Sequence, residues 1–125
     1  MRHTKDERGH TYWQALPVEQ GQVNISTTYP GQIRAFHLHR LKEDHVFVVQ
    51  GQFLLVLGSD DPNEPAWTRE HLGPGDSLAI PRNVWHGYQC VSPEPAVLVY
   101  WETERSGPTS TDDHARPADD YDGWV

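Results

Sequence analysis

Two histidines one residue apart, His37 and His39, carry the most chemistry in this chain, with Asp44 five residues further on and His86 on a later segment. In a strand, alternate side chains share a face, so the first two imidazoles project together. His86 follows Pro81-Arg82-Asn83-Val84-Trp85, where a turn can deliver a third imidazole. Three imidazoles and one carboxylate suit a divalent transition metal (iron, zinc, nickel or manganese) with one or two positions left open. The carboxylate is Asp44 or Glu43, not both, because neighbours in a strand point to opposite faces. The chain has eight histidines. A His-x-His pair therefore also arises by chance, and the competing reading is a set of unrelated surface and core histidines.

Other residues stand beside this group. Arg34 lies three positions before His37, an odd spacing that on a flat strand turns it to the opposite face, as a surface charge. Tyr88 shares a face with His86 and can offer a hydroxyl to the same cavity; Cys90 continues that face as a thiol with no basic neighbour to activate it. Trp85, Tyr100 and Trp101 read as core aromatics or as a wall on which a substrate stacks. His45, next to Asp44, points outward. Asp119, Asp120 and Asp122 form an acidic segment that is either solvated or folds back to orient His37. No Gly-x-Ser-x-Gly elbow and no glycine-rich phosphate loop between a strand and a helix is present.

The elements that must position these residues are short strands. The chain has 125 residues, one cysteine and ten each of Gly and Pro. That length suits one domain, and one cysteine cannot build an internal disulfide framework. Turn chemistry recurs at Tyr29-Pro30-Gly31, Gln50-Gly51, Gly73-Pro74-Gly75-Asp76 and Ser92-Pro93-Glu94-Pro95. Between these lie strand-like runs at 23–28, 33–39, 45–49, 52–57, 67–71, 77–80, 85–91 and 96–101, with no helical periodicity. The expected fold is all-β, a sandwich or barrel over 23–105, preceded by an N-terminal arm, 1–22, with a loosely held start. An acidic C-terminal tail, 106–125, follows, partly disordered or docked through Tyr121 and Trp124. The net charge of −8 argues against a nucleic-acid partner. The polar start and the absence of a long apolar run argue for a soluble, cytoplasmic chain without a membrane span.

Gly31-x5-His37-x-His39-x4-Asp44-x6-Gly51 resembles the first cupin motif, and Gly75-x5-Pro81-x-Asn83-x2-His86 the second. The resemblance implies a single-domain double-stranded β-helix, a jelly-roll barrel, with a metal held by His37, His39, Asp44 and His86. The chain departs from the usual pattern at Asp44, Asn83 and Cys90, where the family has Glu, Gly and Asn. Asp6-Glu7-Arg8-Gly9, Tyr29-Pro30-Gly31, Ile33-Arg34-Ala35-Phe36-His37, Ile80-Pro81, His86-Gly87-Tyr88, Arg116-Pro117 and Tyr121-Asp122-Gly123-Trp124 are similar to the dTDP-4-dehydrorhamnose 3,5-epimerases and their shorter relatives. That resemblance implies His37 as a general base beside a keto group and Arg34 as an anchor for an activated sugar. Asp44 stands where that family has a lysine, and Arg105 or a neighbour where it has a tyrosine acid; a metal would serve in their place.

The expected function is therefore epimerase- or isomerase-like, by proton abstraction or enolate stabilisation on a keto-sugar or related compound. His37 is base or metal ligand, His39, His86 and Asp44 are ligands, Arg34 and Tyr88 are further catalytic groups, and Arg34, Trp85 and Tyr100 bind substrate. The alternatives are a ferrous oxygenase or lyase, and a barrel that binds sugar or metal without catalysis. A homodimer is expected, because open antiparallel edges are usually covered.

Overall fold

The computed structural model describes residues 2–61, 66–105 and 112–125. Its core strands are β3 (Gln22–Thr28), β4 (Ile33–Leu38), β5 (Asp44–Gln50), β6 (Phe53–Ser59), β7 (Trp67–Leu72), β8 (Ser77–Ile80), β9 (Val84–Cys90) and β10 (Ala96–Glu102). Before them come β1 (Arg2–Asp6) and β2 (Gly9–Leu16), and after them β11 (His114–Ala115). The strands form two antiparallel sheets, ordered β1-β2-β3-β10-β5-β8 and β11-β4-β9-β6-β7. Their facing sides enclose one interior, as the jelly-roll reading expects.

Strand parity decides what enters that interior. On β5, Asp44, Val46 and Val48 are buried while His45, Phe47 and Val49 are exposed. Val46, Val48, Phe53, Leu55, Leu72, Ile80, Cys90, Ala96 and Leu98 form the inner core, with Tyr88 and Tyr100 packed against it. The unbroken apolar run of β6 is explained by burial on both faces. Its alternate residues Leu54 and Val56 join Phe36 in an outer cluster covered by Trp67, Trp85, Tyr121 and Trp124.

The tail from 112 to 125 is thus docked. Arg116 exchanges backbone hydrogen bonds with Phe36, at 3.0 and 3.2 Å. The Arg116 guanidinium lies over the rings of Trp67 and Trp85, and Trp124 Nε1 donates to Ala118 O at 2.9 Å. Tail residues 106–111 lie outside the described residues.

The start of the chain differs from the expected loose arm. β1 pairs in register with β2, and β2 with β3. All five residues of β1 are exposed and leave no apolar alternation to read; beside the backbone ladder, His3 stacks on Tyr12 and His10, and Trp13 Nε1 donates to Thr4 Oγ1 at 3.1 Å.

One irregularity positions the site. Along β4 and β9, Arg34 pairs with Tyr88 and His37 with His86, so three steps on β4 match two on β9. This is a β-bulge, with one extra residue that turns the strand. Gly87 lies beneath it: a Cβ there would stand 2.4 Å from the Ala35 Cβ and 2.9 Å from Phe36 Cδ1. Only glycine lets β9 approach the bulge so closely.

Candidate metal and substrate site

A cavity of about 270 Å³ opens at one end of the interior, lined among others by Arg34, His37, His39, Asp44, His86, Tyr88 and Tyr100. His39 sits one residue beyond β4, and Asn83 N–H donates to its carbonyl at 2.7 Å. Asn83 holds φ +64°, a conformation that Gly or Asn adopts readily. This accounts for its standing where the cupin pattern has glycine. The β8–β9 turn is thereby tied to His39 and delivers His86 opposite it.

Asp44 Oδ2 lies 3.5 Å from His39 Nε2 and 3.3 Å from His86 Nε2. All three side chains are buried, and their ligand atoms lie within 4.8 Å of one another. Two atoms each about 2.1 Å from one ion stand about 3.0–3.4 Å apart, so the spacing matches shared coordination. The outer nitrogens are already engaged. His86 Nδ1 is 3.2 Å from Val84 O, and His39 Nδ1 is 3.2 Å from Asp112 O and 3.0 Å from Asp113 Oδ1. Those neighbours accept and do not donate, so both rings carry hydrogen on Nδ1 and turn Nε2 inward. Asp44 Oδ1 is buried without a hydrogen-bond partner, which costs free energy unless a cation meets it. The residues fit a divalent ion.

Electrostatics agree with this. Burial alone would lower the His39 pKa, but the Asp113 and Asp44 carboxylates overcome it and raise it to about 9. Burial likewise opposes ionisation of Asp44, yet His39 and His86 hold its carboxyl well below the usual carboxylate range. Without metal, a proton on His39 supplies the positive charge the pocket calls for.

His37, expected as a fourth ligand, is not among the three residues grouped here. It lines the cavity, but its ring centroid is 6.2 Å from that of His86, and it stands outside the His39–Asp44–His86 group. The bulge lies before His37, so His37 and His39 keep the shared face and both line the cavity. Burial, together with the neighbouring His86 and His39, pushes its pKa down to about 4, leaving a neutral imidazole.

Arg34 also reverses the parity expectation, because the bulge brings it to the same cavity as His37. Its Nε donates to Thr28 Oγ1 at 3.0 Å, and Nη2 to Thr27 O at 3.2 Å and His10 O at 3.4 Å. Trp85 is corrected in the other direction: it packs in the outer cluster and not on the cavity, since it alternates with His86. Tyr88 and Tyr100 do face inward, the former with its hydroxyl 3.5 Å from Ser26 Oγ. Burial pushes the Tyr100 pKa well above its usual value, so its hydroxyl keeps its proton.

Of the carboxylate alternatives, Asp44 enters the site. Glu43 stays outside, 3.4 Å from Arg82 Nη1. His45 points outward and packs on Trp101. Arg105 turns away to Gly21 O and Val18 O, and Asp120 pairs with Arg116. The tail carboxylate that reaches the site is Asp113, and behind it lies Lys42. This lysine is 1 % exposed, with Nζ 3.3 Å from Glu102 Oε1 and 3.4 Å from Asp113 Oδ1. Neither was singled out from sequence. Asp113 sits in a polar tail, and lysines are rarely buried; the one available signal for Lys42 was its place three residues after His39.

The chain belongs to the cupin domain family, whose profile matches residues 24–102. Among curated proteins, it is 31 % identical over 105 residues to the spore coat polysaccharide biosynthesis protein SpsL of Bacillus subtilis, covering 80 % of this chain and 70 % of that protein. It is 28 % identical over 128 residues to the probable low-salt glycan biosynthesis epimerase Agl13 of Haloferax volcanii, covering 91 % and 81 %. The capsular polysaccharide assembling protein CapF of Staphylococcus aureus superposes with a TM-score of 0.82 at 20 % identity. That likeness covers 91 % of this chain but only 32 % of CapF, and it concerns the fold alone. No helix among the described residues is long and apolar enough to cross a membrane.

Proposed function

We propose that this chain is a divalent-metal-dependent cupin epimerase or isomerase, acting at the carbon beside the carbonyl of an activated keto-sugar. The observation that carries the reading is the separation of His37 from the His39–Asp44–His86 group. A base and a metal site then face one cavity without sharing a residue. The names of SpsL and Agl13 support a sugar as substrate.

A divalent ion held by His39 Nε2, His86 Nε2 and Asp44 would polarise the substrate carbonyl as a Lewis acid. His37 takes the proton from the adjacent carbon onto its free imidazole nitrogen. Arg34, fixed by three hydrogen bonds, presents Nη1 to an anionic group at the mouth. Tyr88 returns a proton, and the protonated Tyr100 hydroxyl donates a hydrogen bond to the substrate. The apolar wall of Phe53, Leu55 and Leu98 excludes water from the reacting carbon.

The experiment is solvent exchange. Metal-loaded protein in deuterium oxide, with a nucleotide-linked 4-keto-hexose and with a free keto-hexose, incorporates deuterium at the carbon beside the carbonyl, read by NMR. No incorporation above the His37→Gln background would refute the proposal. A second reading is favoured by the ligand set itself: two histidines and one carboxylate with open positions also suit ferrous oxygenases. Oxygen consumption by the ferrous protein, dependent on an added small-molecule substrate, would favour that reading.

A further inference from the structure

The tail carboxylate Asp113 touches a candidate ligand from behind. We infer that Asp113 is a positioning residue for the metal site, holding His39 with Nε2 aimed at the ion; this rests on the metal reading above. Its Oδ1 lies 3.0 Å from His39 Nδ1, on the side of the ring away from Asp44. A carboxylate on the far nitrogen of a ligating imidazole fixes the ring's tautomer and orientation and makes the near nitrogen a stronger donor. Among the described residues, His86 has the Val84 carbonyl and no carboxylate in the equivalent place, so the two imidazoles are supported unequally.

Asp113 is itself held in position. The same Oδ1 is 3.4 Å from Lys42 Nζ, which also faces Glu102 Oε1 at 3.3 Å. Its neighbour Asp112 accepts hydrogen bonds from Arg40 N at 2.7 Å and Leu41 N at 3.1 Å. These bonds strap the tail across the loop that follows His39. A buried lysine is costly unless it is paired. Here its ammonium compensates two carboxylates at the edge of a site that must itself concentrate negative charge for a cation. The tail thereby becomes part of the site, fastened by Lys42 and ending on His39.

The test is the rate at which cobalt(II) leaves the protein into excess chelator, followed by its visible absorption. Release reports how firmly the ligands are held and does not depend on proton competition for the empty site. Asp113→Ala is expected to release cobalt at least tenfold faster than wild type. Asp113→Asn keeps the shape and an acceptor oxygen without the charge, so it falls between the two and serves should the alanine variant not fold. Arg116→Ala loosens the tail elsewhere and should leave release unchanged. Wild-type rates in both Asp113 variants would overturn the inference, as would equal acceleration by Arg116→Ala, which would mean general loosening. Failure of the wild type to bind cobalt at all would sink the metal reading itself.

Discussion

Gly87→Ala is a one-carbon change that tests how the site is built. The added methyl would sit 2.4 Å from the Ala35 Cβ, 3.0 Å from the Ala35 Cα and 2.9 Å from Phe36 Cδ1. Carbon atoms pack at about 3.5–4.0 Å, so β4 must move away from β9 by about 1 Å. Overpacking of this kind costs about 1–3 kcal/mol, a fall in melting temperature of about 4–11 °C for a domain of this size. The effect on function is expected to be larger. The displaced residues are those of the bulge that turns both Arg34 and His37 into the cavity, and a shift of about 1 Å at a reacting group can cost about 100-fold in rate. His39, Asp44 and His86 are held by other contacts, through Asn83, Val84 and Asp113, so metal affinity should change little. The assays are thermal unfolding, cobalt titration, and deuterium incorporation into the keto-sugar. A variant with wild-type exchange, or one that loses metal and exchange together, would refute the role given to the bulge.

His37→Gln should retain metal at wild-type stoichiometry while losing about 100-fold or more of proton exchange, measured by metal analysis and NMR; loss of metal would return His37 to the ligand set. For the metal-free protein, the raised His39 pKa of about 9, against about 6.5 in the unfolded chain, gives a stabilisation that is complete below pH 6.5 and lost as pH rises through 9. It amounts to about 3 kcal/mol, and urea unfolding between pH 6 and 9.5 should show a falling midpoint that added metal flattens. Trp124→Ala removes an aromatic that packs with Phe36 and Tyr121 on the outer face and should cost about 2–3 kcal/mol in chemical denaturation. An unchanged midpoint would mean the tail is not docked in solution.

The strands from β3 to β10 were legible because Gly and Pro turns punctuate runs whose sides differ in polarity. β1 and β2 were not, since every residue of β1 is exposed and β2 buries only Gly9 and Thr11, so neither leaves an apolar pattern. The three residues that can hold a metal were readable from the two cupin motifs. His37 was grouped with them because parity alone puts it beside His39. That parity holds, since both line the cavity; the bulge before His37 is invisible to parity and hid the inward position of Arg34. Trp85 was assigned to the substrate wall although its neighbour His86 faces inward; strict alternation would have turned it out. Asp113 and Lys42 act across a long sequence separation, through contacts that local spacing does not encode.

The central claim is that His39, Asp44 and His86 hold a divalent ion while His37 faces the cavity unbound. A crystal structure of cobalt-loaded protein, with anomalous diffraction at the metal edge, tests it most directly. The account predicts one ion about 2.1 Å from Nε2 of His39, Nε2 of His86 and a carboxylate oxygen of Asp44, with no bond to His37. An ion bonded to His37, or no ion between the three residues, would contradict it.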